Sequence, residues 1–130
     1  MEMEKEIAQF RLIDYRIVKS ILELNLENGE VSKNLTVKFG FPSELKLGKG
    51  IVTYPMSVEI TDEKNALRIE VVILGNFEFD DQIDDKNDFI NVCAPAILFP
   101  YLRAHVSTLS CLSGIKPIVL PTLNMTQNRD

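Results

Sequence analysis

The sequence has little of the chemistry that most enzymes and metal sites use. It has no tryptophan, one histidine (His105) and two cysteines (Cys93 and Cys111) among 130 residues. No glycine-rich phosphate loop follows a strand-like segment, and no paired cysteines have zinc-site spacing. On one helix, Cys93 and His105 would lie about 18 Å apart, too far for a nucleophile and its base. We therefore predict no catalytic site, no metal site and no cofactor.

The cysteines also predict no disulfide. On one helix they lie about 27 Å apart, whereas a disulfide needs Cα atoms within about 7 Å. Reduced cysteines are typical of the cytoplasm. The acidic start, residues 1–6, lacks the apolar core of a secretory signal. No apolar run reaches the roughly 18 residues of a membrane span without a polar residue or proline. We expect a cytoplasmic protein that does not insert into membranes.

A basic surface is lacking too. The formal net charge is −5, and a sequence-independent grip on nucleic acid needs a basic face, so we predict no nucleic-acid partner. With 45% hydrophobic residues the chain can bury about 70% of its unfolded surface, which predicts a single domain over residues 1–130.

Residues 8–79 are rich in strand patterns. Apolar side chains alternate with polar ones over residues 22–26, 35–41, 54–60 and 67–79, which is typical of half-buried strands. Short polar connections favour antiparallel pairing. The acidic residues 80–88 lack the glycine and spacing of a calcium loop, so they are predicted to form a solvated linker. Residues 114–130 read as an extended, proline-marked tail.

Between linker and tail, the apolar spacing predicts one helix over about residues 95–113. Pro95 suits the first turn, where a missing N–H costs nothing, whereas Pro100 predicts a kink. Ser113 and Gly114 form a helix stop. The predicted fold is α+β: a four-stranded antiparallel sheet, with Greek-key or meander topology, followed by one long apolar helix packed on it.

This helix carries too little charge for a surface element. From Phe89 to Ile115 the only formally charged residue is Arg103, so both sides of the helix should be covered. One interpretation is a second copy of the chain, meeting helix to helix; the other is a helix wrapped by its own sheet and tail. In the first, Leu102 lies on the outer helix face. The predicted oligomer interface comprises Leu98, Tyr101, Leu102, His105 and Leu109.

Aromatic residues are numerous for four short strands. Apolar surface that the helix does not cover would mark a binding site, although any single aromatic can instead be ordinary core. From apolar character and expected placement, the candidate binding residues are Phe39, Phe41, Tyr54, Phe77 and Leu123.

The run from Ala94 to Arg103, APAILFPYLR, resembles the helix signature of the SecB family of bacterial protein-export chaperones. Ile69–Phe77 resembles the last strand of that family, and Gly114–Asn124 resembles the extended segment after its helix. The likeness runs from about Phe10 to Met125. It implies homotetramers built as dimers of dimers, with the helices at the interface. It also implies an ATP-independent holdase, whose hydrophobic grooves bind unfolded, export-bound chains for transfer to the ATPase SecA.

Two departures from the family change these expectations. We expect no counterpart here of the family's second helix and acidic C-terminal tail, which contacts SecA. Of the acidic sheet positions that serve SecA, Glu70 matches one, and Ser20 stands where an aspartate is expected. A dedicated chaperone for one partner, as in toxin–antitoxin systems, is therefore an alternative. A small-ligand binding domain is a further one.

Overall fold

The computed structural model describes residues 10–122. The chain forms four strands, a short 3-10 turn at Leu26–Asn28 and one long helix. The strands and helix are β1 (Phe10–Leu24), β2 (Leu35–Gly40), β3 (Ile51–Asp62), β4 (Leu67–Phe79) and α1 (Lys86–Leu112).

All neighbouring strands pair antiparallel, in the spatial order β1-β4-β3-β2. Strands β2, β3 and β4 follow one another as hairpins, and β1 lies beside β4 because a longer connection carries the chain to the far edge. This is a Greek-key arrangement. The predicted α+β fold, with a four-stranded antiparallel sheet followed by one long helix, is confirmed.

One face of the sheet, which we call the inner face, is covered and apolar. Burial alternates along β3 and β4, and alternate side chains such as Met56, Val58, Ile69 and Ile73 are at most 1% exposed. Because successive side chains of a strand point to opposite faces, these residues share one face. The other, outer face is mixed: it carries charged residues such as Arg68 and Glu70 and apolar residues such as Val72 and Leu74. Helix α1 packs over the inner face, mainly on β4 and also on β1 and β3.

Helix α1 starts earlier than its apolar pattern predicts. It begins at Lys86, so the predicted linker of residues 80–88 partly belongs to the helix, and Pro95 lies in the helix interior rather than in its first turn. The sequence pattern did not indicate this start because the acidic residues 80–88 are typical of a solvated linker. Acidic side chains also stabilise the N-terminus of a helix, and Asp88 lies in the first turn. The predicted tail begins as expected, after the C-cap Ser113 and Gly114 (φ 81°).

The inward stripe of α1 makes the second half of the core. Its buried residues are Ile90, Ala94, Pro95, Leu98, Phe99, Leu102, Val106 and Ser110. At Gly75 of β4 the helix approaches so closely that an added Cβ would lie 2.7 Å from Leu98 Cδ2. The helix is long and apolar enough to cross a membrane by length and composition, a criterion that core helices also meet.

Asp62 joins the β3–β4 turn to the connection between β1 and β2. It is 3% exposed. One carboxylate oxygen accepts hydrogen bonds from the N–H groups of Ala66 (2.7 Å) and Leu67 (3.0 Å), and the other accepts from Ser32 N–H (2.9 Å). Burial acts to raise the pKa of Asp62, but these backbone donors outweigh it and hold the pKa below its usual value.

Candidate functional site

Helix α1 has two flanks that face different parts of the molecule. At 100° per residue, Phe99 and Ser110 lie within about 20° of each other around the axis, and Tyr101 lies about 180° from Ser110. Phe99 contacts Phe39 of β2, and Tyr101 contacts Tyr15 of β1. We call these the β2 flank and the β1 flank.

Three aromatic rings line the β2 flank. The ring centroids of Phe39 and Phe41 are 6.4 Å apart, and those of Phe39 and Phe99 are 6.0 Å apart. The guanidinium of Arg103 lies 5.8 Å from the Phe99 ring centroid. We call Phe39, Phe41 and Phe99 the aromatic strip. Phe39 and Phe41 are half-buried, so the two binding residues predicted on this side of the sheet lie together beside the helix.

The chain after α1 returns along the same flank. In residues 116–122 burial alternates: Ile118 and Leu120 are 8% and 2% exposed, whereas Val119 is 71% exposed. The N–H of Ile118 donates to Ser110 Oγ (2.9 Å), which in turn donates to the carbonyl of Ser107 (2.9 Å). Since Ser110 lies on the Phe99 side of the helix, this segment, the docked tail, lies on the β2 flank.

The docked tail is held by few interactions. Within the described part of the chain, the amide of Ile118 is its one backbone group with a hydrogen bond to another residue. Ordering a residue costs backbone entropy, and burial of apolar side chains is the main term that offsets this cost. Two buried side chains and one backbone hydrogen bond are few interactions for seven ordered residues, so the tail is only weakly held.

The β1 flank has a different character. The rings of Tyr15 and Tyr101 have centroids 4.5 Å apart, yet the residues stay 40% and 41% exposed. His105 Nε2 and Ser20 Oγ share a hydrogen bond of 2.8 Å. The histidine therefore has a partner within its own chain, and one of its two ring nitrogens is already hydrogen-bonded.

The helix side away from the sheet is exposed and almost uncharged. Its exposed residues Ala96, Pro100, Ala104 and Thr108 have small side chains. The edge of β1 next to it has no strand partner among the described residues. We call the small-residue side of α1, together with the β1 edge and Tyr101, the assembly surface.

On the outer face, Glu70 is paired rather than free. Lys19 Nζ lies 3.0 Å from one of its carboxylate oxygens and Arg68 lies 2.6 Å from the other. Hydrogen bonding from Lys19 is the main cause that lowers the pKa of Glu70. Arg68 also lies near Glu23 and Glu59. Glu70 itself is thus paired on both carboxylate oxygens, although the three carboxylates of Glu23, Glu59 and Glu70 share only the two cations Lys19 and Arg68.

Several predicted site residues belong to the core. Tyr54 and Phe77 are 1% and 0% exposed beneath the helix, so they do not line an open groove. Burial raises the pKa of Tyr54 to about 12, and its hydroxyl donates to Asn91 Oδ1 (3.3 Å). Leu123 lies outside the described residues.

The predicted interface residues also divide into buried core residues and accessible ones. Leu98 and Leu102 are 0% exposed, so the placement of Leu102 on the outer helix face is wrong. Tyr101 is exposed, and His105 and Leu109 are half-buried. The helical rhythm predicted the stripe correctly, but the stripe faces the sheet of its own chain.

The described residues contain no group of three or more His, Cys, Asp or Glu placed to hold a metal ion. Burial raises the pKa of the Cys93 thiol, which keeps the thiol protonated at neutral pH and makes it a poor nucleophile. Cys93 and Cys111 are both free thiols.

Sequence reasoning missed Ser110, Ile118 and Leu120 as parts of this site. Their signal was weak: three consecutive aliphatic residues, Ile118, Val119 and Leu120, lie between Pro117 and Pro121 after the helix, and nothing in that run shows which of them are buried. A buried serine facing that segment could be identified only once the helix phase was known.

Comparison with models of known protein families gave no match. An uncharacterised protein of Methanocaldococcus jannaschii is 36% identical over 63 residues, which are 48% of this chain and 41% of that protein. The match thus spans less than half of that archaeal relative.

Curated export proteins match over more of the chain. The protein-export protein SecB of Neisseria meningitidis is 29% identical over 107 residues, 78% of this chain and 71% of that protein. SecB of Dechloromonas aromatica is 33% identical over 82 residues, 60% of this chain and 54% of that protein.

The fold matches a solved structure of the same kind. The SecB-like chaperone of Mycobacterium tuberculosis, in complex with a ChAD peptide from the HigA1 antitoxin, superposes with a TM-score of 0.71 at 14% identity, over 93% of this chain and 94% of that one. The chain is thus similar in sequence to SecB proteins and similar in fold to a SecB-like chaperone. The run Ala94–Arg103, which resembles the helix signature of the SecB family, lies in mid-helix, where it supplies Leu98, Phe99 and Leu102 to the core.

Proposed function

We propose that this SecB-like chain is an ATP-independent chaperone that binds unfolded, export-bound polypeptides and keeps them competent for translocation. The observation that carries the proposal is the aromatic strip of Phe39, Phe41 and Phe99 on the β2 flank. Phe39 and Phe41 are half-buried and keep part of their rings accessible, whereas Phe99 is 7% exposed. Accessible aromatic surface accommodates many apolar sequences loosely, as a holdase requires. The free thiols fit the proposed cytoplasmic location.

We propose further that the chain acts as an oligomer, a dimer of dimers. The assembly surface supports this, because small, uncharged side chains allow a close approach of two helices and the β1 edge offers unpaired backbone groups. Several strips in one assembly would raise client avidity without any new contact.

A second candidate function is service to one dedicated client without SecA docking. Two observations favour it. The pairing of Glu70 with Lys19 and Arg68 leaves this carboxylate less available for SecA docking. In addition, the M. tuberculosis structure with the same fold holds a peptide of an antitoxin. A toxin–antitoxin partner is therefore a specific alternative to a broad set of export-bound clients.

The deciding experiment measures aggregation of a chemically unfolded model protein, with and without the chaperone and in the absence of ATP. We expect suppression at near-stoichiometric amounts, together with a native mass of four chains that rises when the client is added. A monomer without effect on aggregation would contradict the proposal.

The alternatives give other results in parallel measurements. A dedicated chaperone would recover one stoichiometric protein, encoded by its own host, in a pull-down and would suppress the aggregation of that protein alone. Clear thermal stabilisation by a metabolite, with none by an unfolded chain, would instead indicate a small-ligand binding domain.

A further inference from the structure

The docked tail has the conformation in which an unfolded client would be held. Residues 116–122 are extended, outside any strand, with Ile118 and Leu120 turned into the core and Val119 turned outward. A segment of an unfolded polypeptide can adopt this extended conformation, in which alternate side chains face one surface. The seat of Ile118 and Leu120 is therefore shaped for two aliphatic side chains two residues apart.

The site that holds Ile118 and Leu120, which we call the seat, binds its occupant through a single backbone hydrogen bond. Pro117 and Pro121 have no N–H to donate, and the Ile118 amide alone bonds, to Ser110 Oγ. Ser110 is itself fully buried, at 0% exposure, and its hydroxyl points at the tail from the helix. It is thus a buried polar anchor for one amide of an extended chain, whatever the side chains of that chain are.

We propose that this seat is a client-binding site, which the tail occupies as a built-in competitor until an extended client segment with two aliphatic side chains displaces it. The inference rests on the proposed chaperone function. It explains why Ile118 and Leu120 lie on the same flank as the aromatic strip. A client would bind Ser110 and the aliphatic seat first and extend over Phe99, Phe39 and Phe41.

A tethered competitor lowers the apparent affinity by the fraction of molecules in which the seat is open. The first test removes that competition in the full chain by the double substitution Ile118→Ser and Leu120→Ser. The probe is a fluorescein-labelled peptide with the sequence of residues 115–122, IKPIVLPT, followed by fluorescence anisotropy. We expect the double variant to bind it at least about tenfold more tightly than the unmodified chain does.

The matched control is Val119→Ser in the same segment, at a side chain that is 71% exposed. We expect it to bind like the unmodified chain. A probe peptide with serine at both aliphatic positions should bind the double variant at least tenfold more weakly than IKPIVLPT. Equal binding of IKPIVLPT by the unmodified chain and a folded double variant would overturn the inference.

A second measurement needs no variant and therefore does not depend on the double variant folding. Hydrogen exchange of the Ile118 amide is followed in the unmodified protein while reduced, carboxymethylated lactalbumin is added as an unfolded client. We expect a tail peptide covering residues 116–122 to exchange faster when the client is bound. Unchanged or slower exchange with the client bound would contradict displacement.

The two proposals fail in distinguishable ways. If the unmodified chain suppresses aggregation but client binding leaves the tail protected, the displacement inference is wrong and the chaperone function stands. If the double variant binds IKPIVLPT but neither the double variant nor the unmodified chain binds an unfolded client, the seat binds only the tail sequence and the chaperone function is wrong.

Discussion

At the scale of single residues, burial separates structural from functional side chains in this protein. Leu102, Tyr54 and Phe77 are apolar or aromatic residues in the expected segments, yet each is at most 1% exposed. Phe39 and Phe41, of the same chemical type, stay half-buried at the edge of the sheet. Residue type gave the candidates, and accessibility decides which of them can meet a partner.

Leu102→Ala tests the corrected place of Leu102. Since the side chain is 0% exposed between helix and sheet, we expect a loss of about 2–5 kcal/mol in the free energy of unfolding. Leu112→Ala, in the same helix at 81% exposure, should change it by less than about 0.5 kcal/mol. Urea denaturation measures both. Equal effects of the two substitutions would contradict the burial of Leu102.

Asp62→Asn tests the carboxylate that joins the β3–β4 turn to the connection between β1 and β2. A pKa held low in the folded state means that the unfolded state binds the proton more readily. The stabilisation is therefore present above the unfolded pKa of about 3.9 and is lost as pH falls through the lower folded value.

We thus expect the Asn variant to unfold at lower urea concentration at pH 7 and to lose less further stability than the parent between pH 5 and pH 3. Denaturation midpoints at several pH values provide the measurement. Glu30→Gln, at an exposed position, serves as the control and should leave the pH profile unchanged. An Asn variant with the acid sensitivity of the parent would argue against this role of Asp62.

At the scale of elements, helix α1 is defined by what its faces meet. Its inward stripe packs on β4, its β2 flank carries the aromatic strip and Ser110, and its outward side is small and uncharged. Two prolines inside the helix each remove a backbone donor. The helix persists because tertiary packing of its inward stripe, rather than propensity, supplies most of its stability.

Gly75→Ala tests the close approach of α1 to β4. The new Cβ would lie 2.7 Å from Leu98 Cδ2 and 2.8 Å from Phe77 Cε1. Overpacking of this kind costs about 1–3 kcal/mol. In a Leu98→Ala background the helix side is cleared, so the same glycine substitution should cost less. A double-mutant cycle of unfolding free energies measures the coupling. Strict additivity would mean that helix and strand are not in contact there.

At the scale of the whole molecule, the described residues leave the outward side of α1 uncovered and both edge strands, β1 and β2, without a further strand partner. The β1 edge lies across the sheet from the aromatic strip, which is beside β2. Self-assembly there would cover the uncharged helix surface and leave the strip accessible to clients. The ion pairs around Glu70 lie on the opposite, outer face of the sheet, so assembly, client binding and any docking would use separate surfaces.

Ala104→Glu tests the assembly surface without touching the core, because Ala104 is exposed on the outward side of α1. A buried, unpaired charge at a helix–helix contact is strongly unfavourable, so we expect the native mass to fall to half or less of the parent value. Light scattering measures it. Thr36→Glu, at an exposed position on the far strand β2, should leave the mass unchanged. A variant at position 104 with the parent mass would refute this interface.

The sequence by itself determined the three strands β2, β3 and β4, the apolar helix with its stripe and the family likeness, because period and local composition are properties of adjacent residues. Strand β1 was found only at its end, over residues 22–24, because two register shifts interrupt its alternation. Only the tertiary structure decided which way each apolar residue faces. Leu102 looked like an interface residue until β4 was found beneath it, and Ile118 and Leu120 looked like an ordinary tail until Ser110 was placed opposite them. Those contacts join residues that are not neighbours in the sequence, and no local pattern encodes which residues will contact each other in the folded protein.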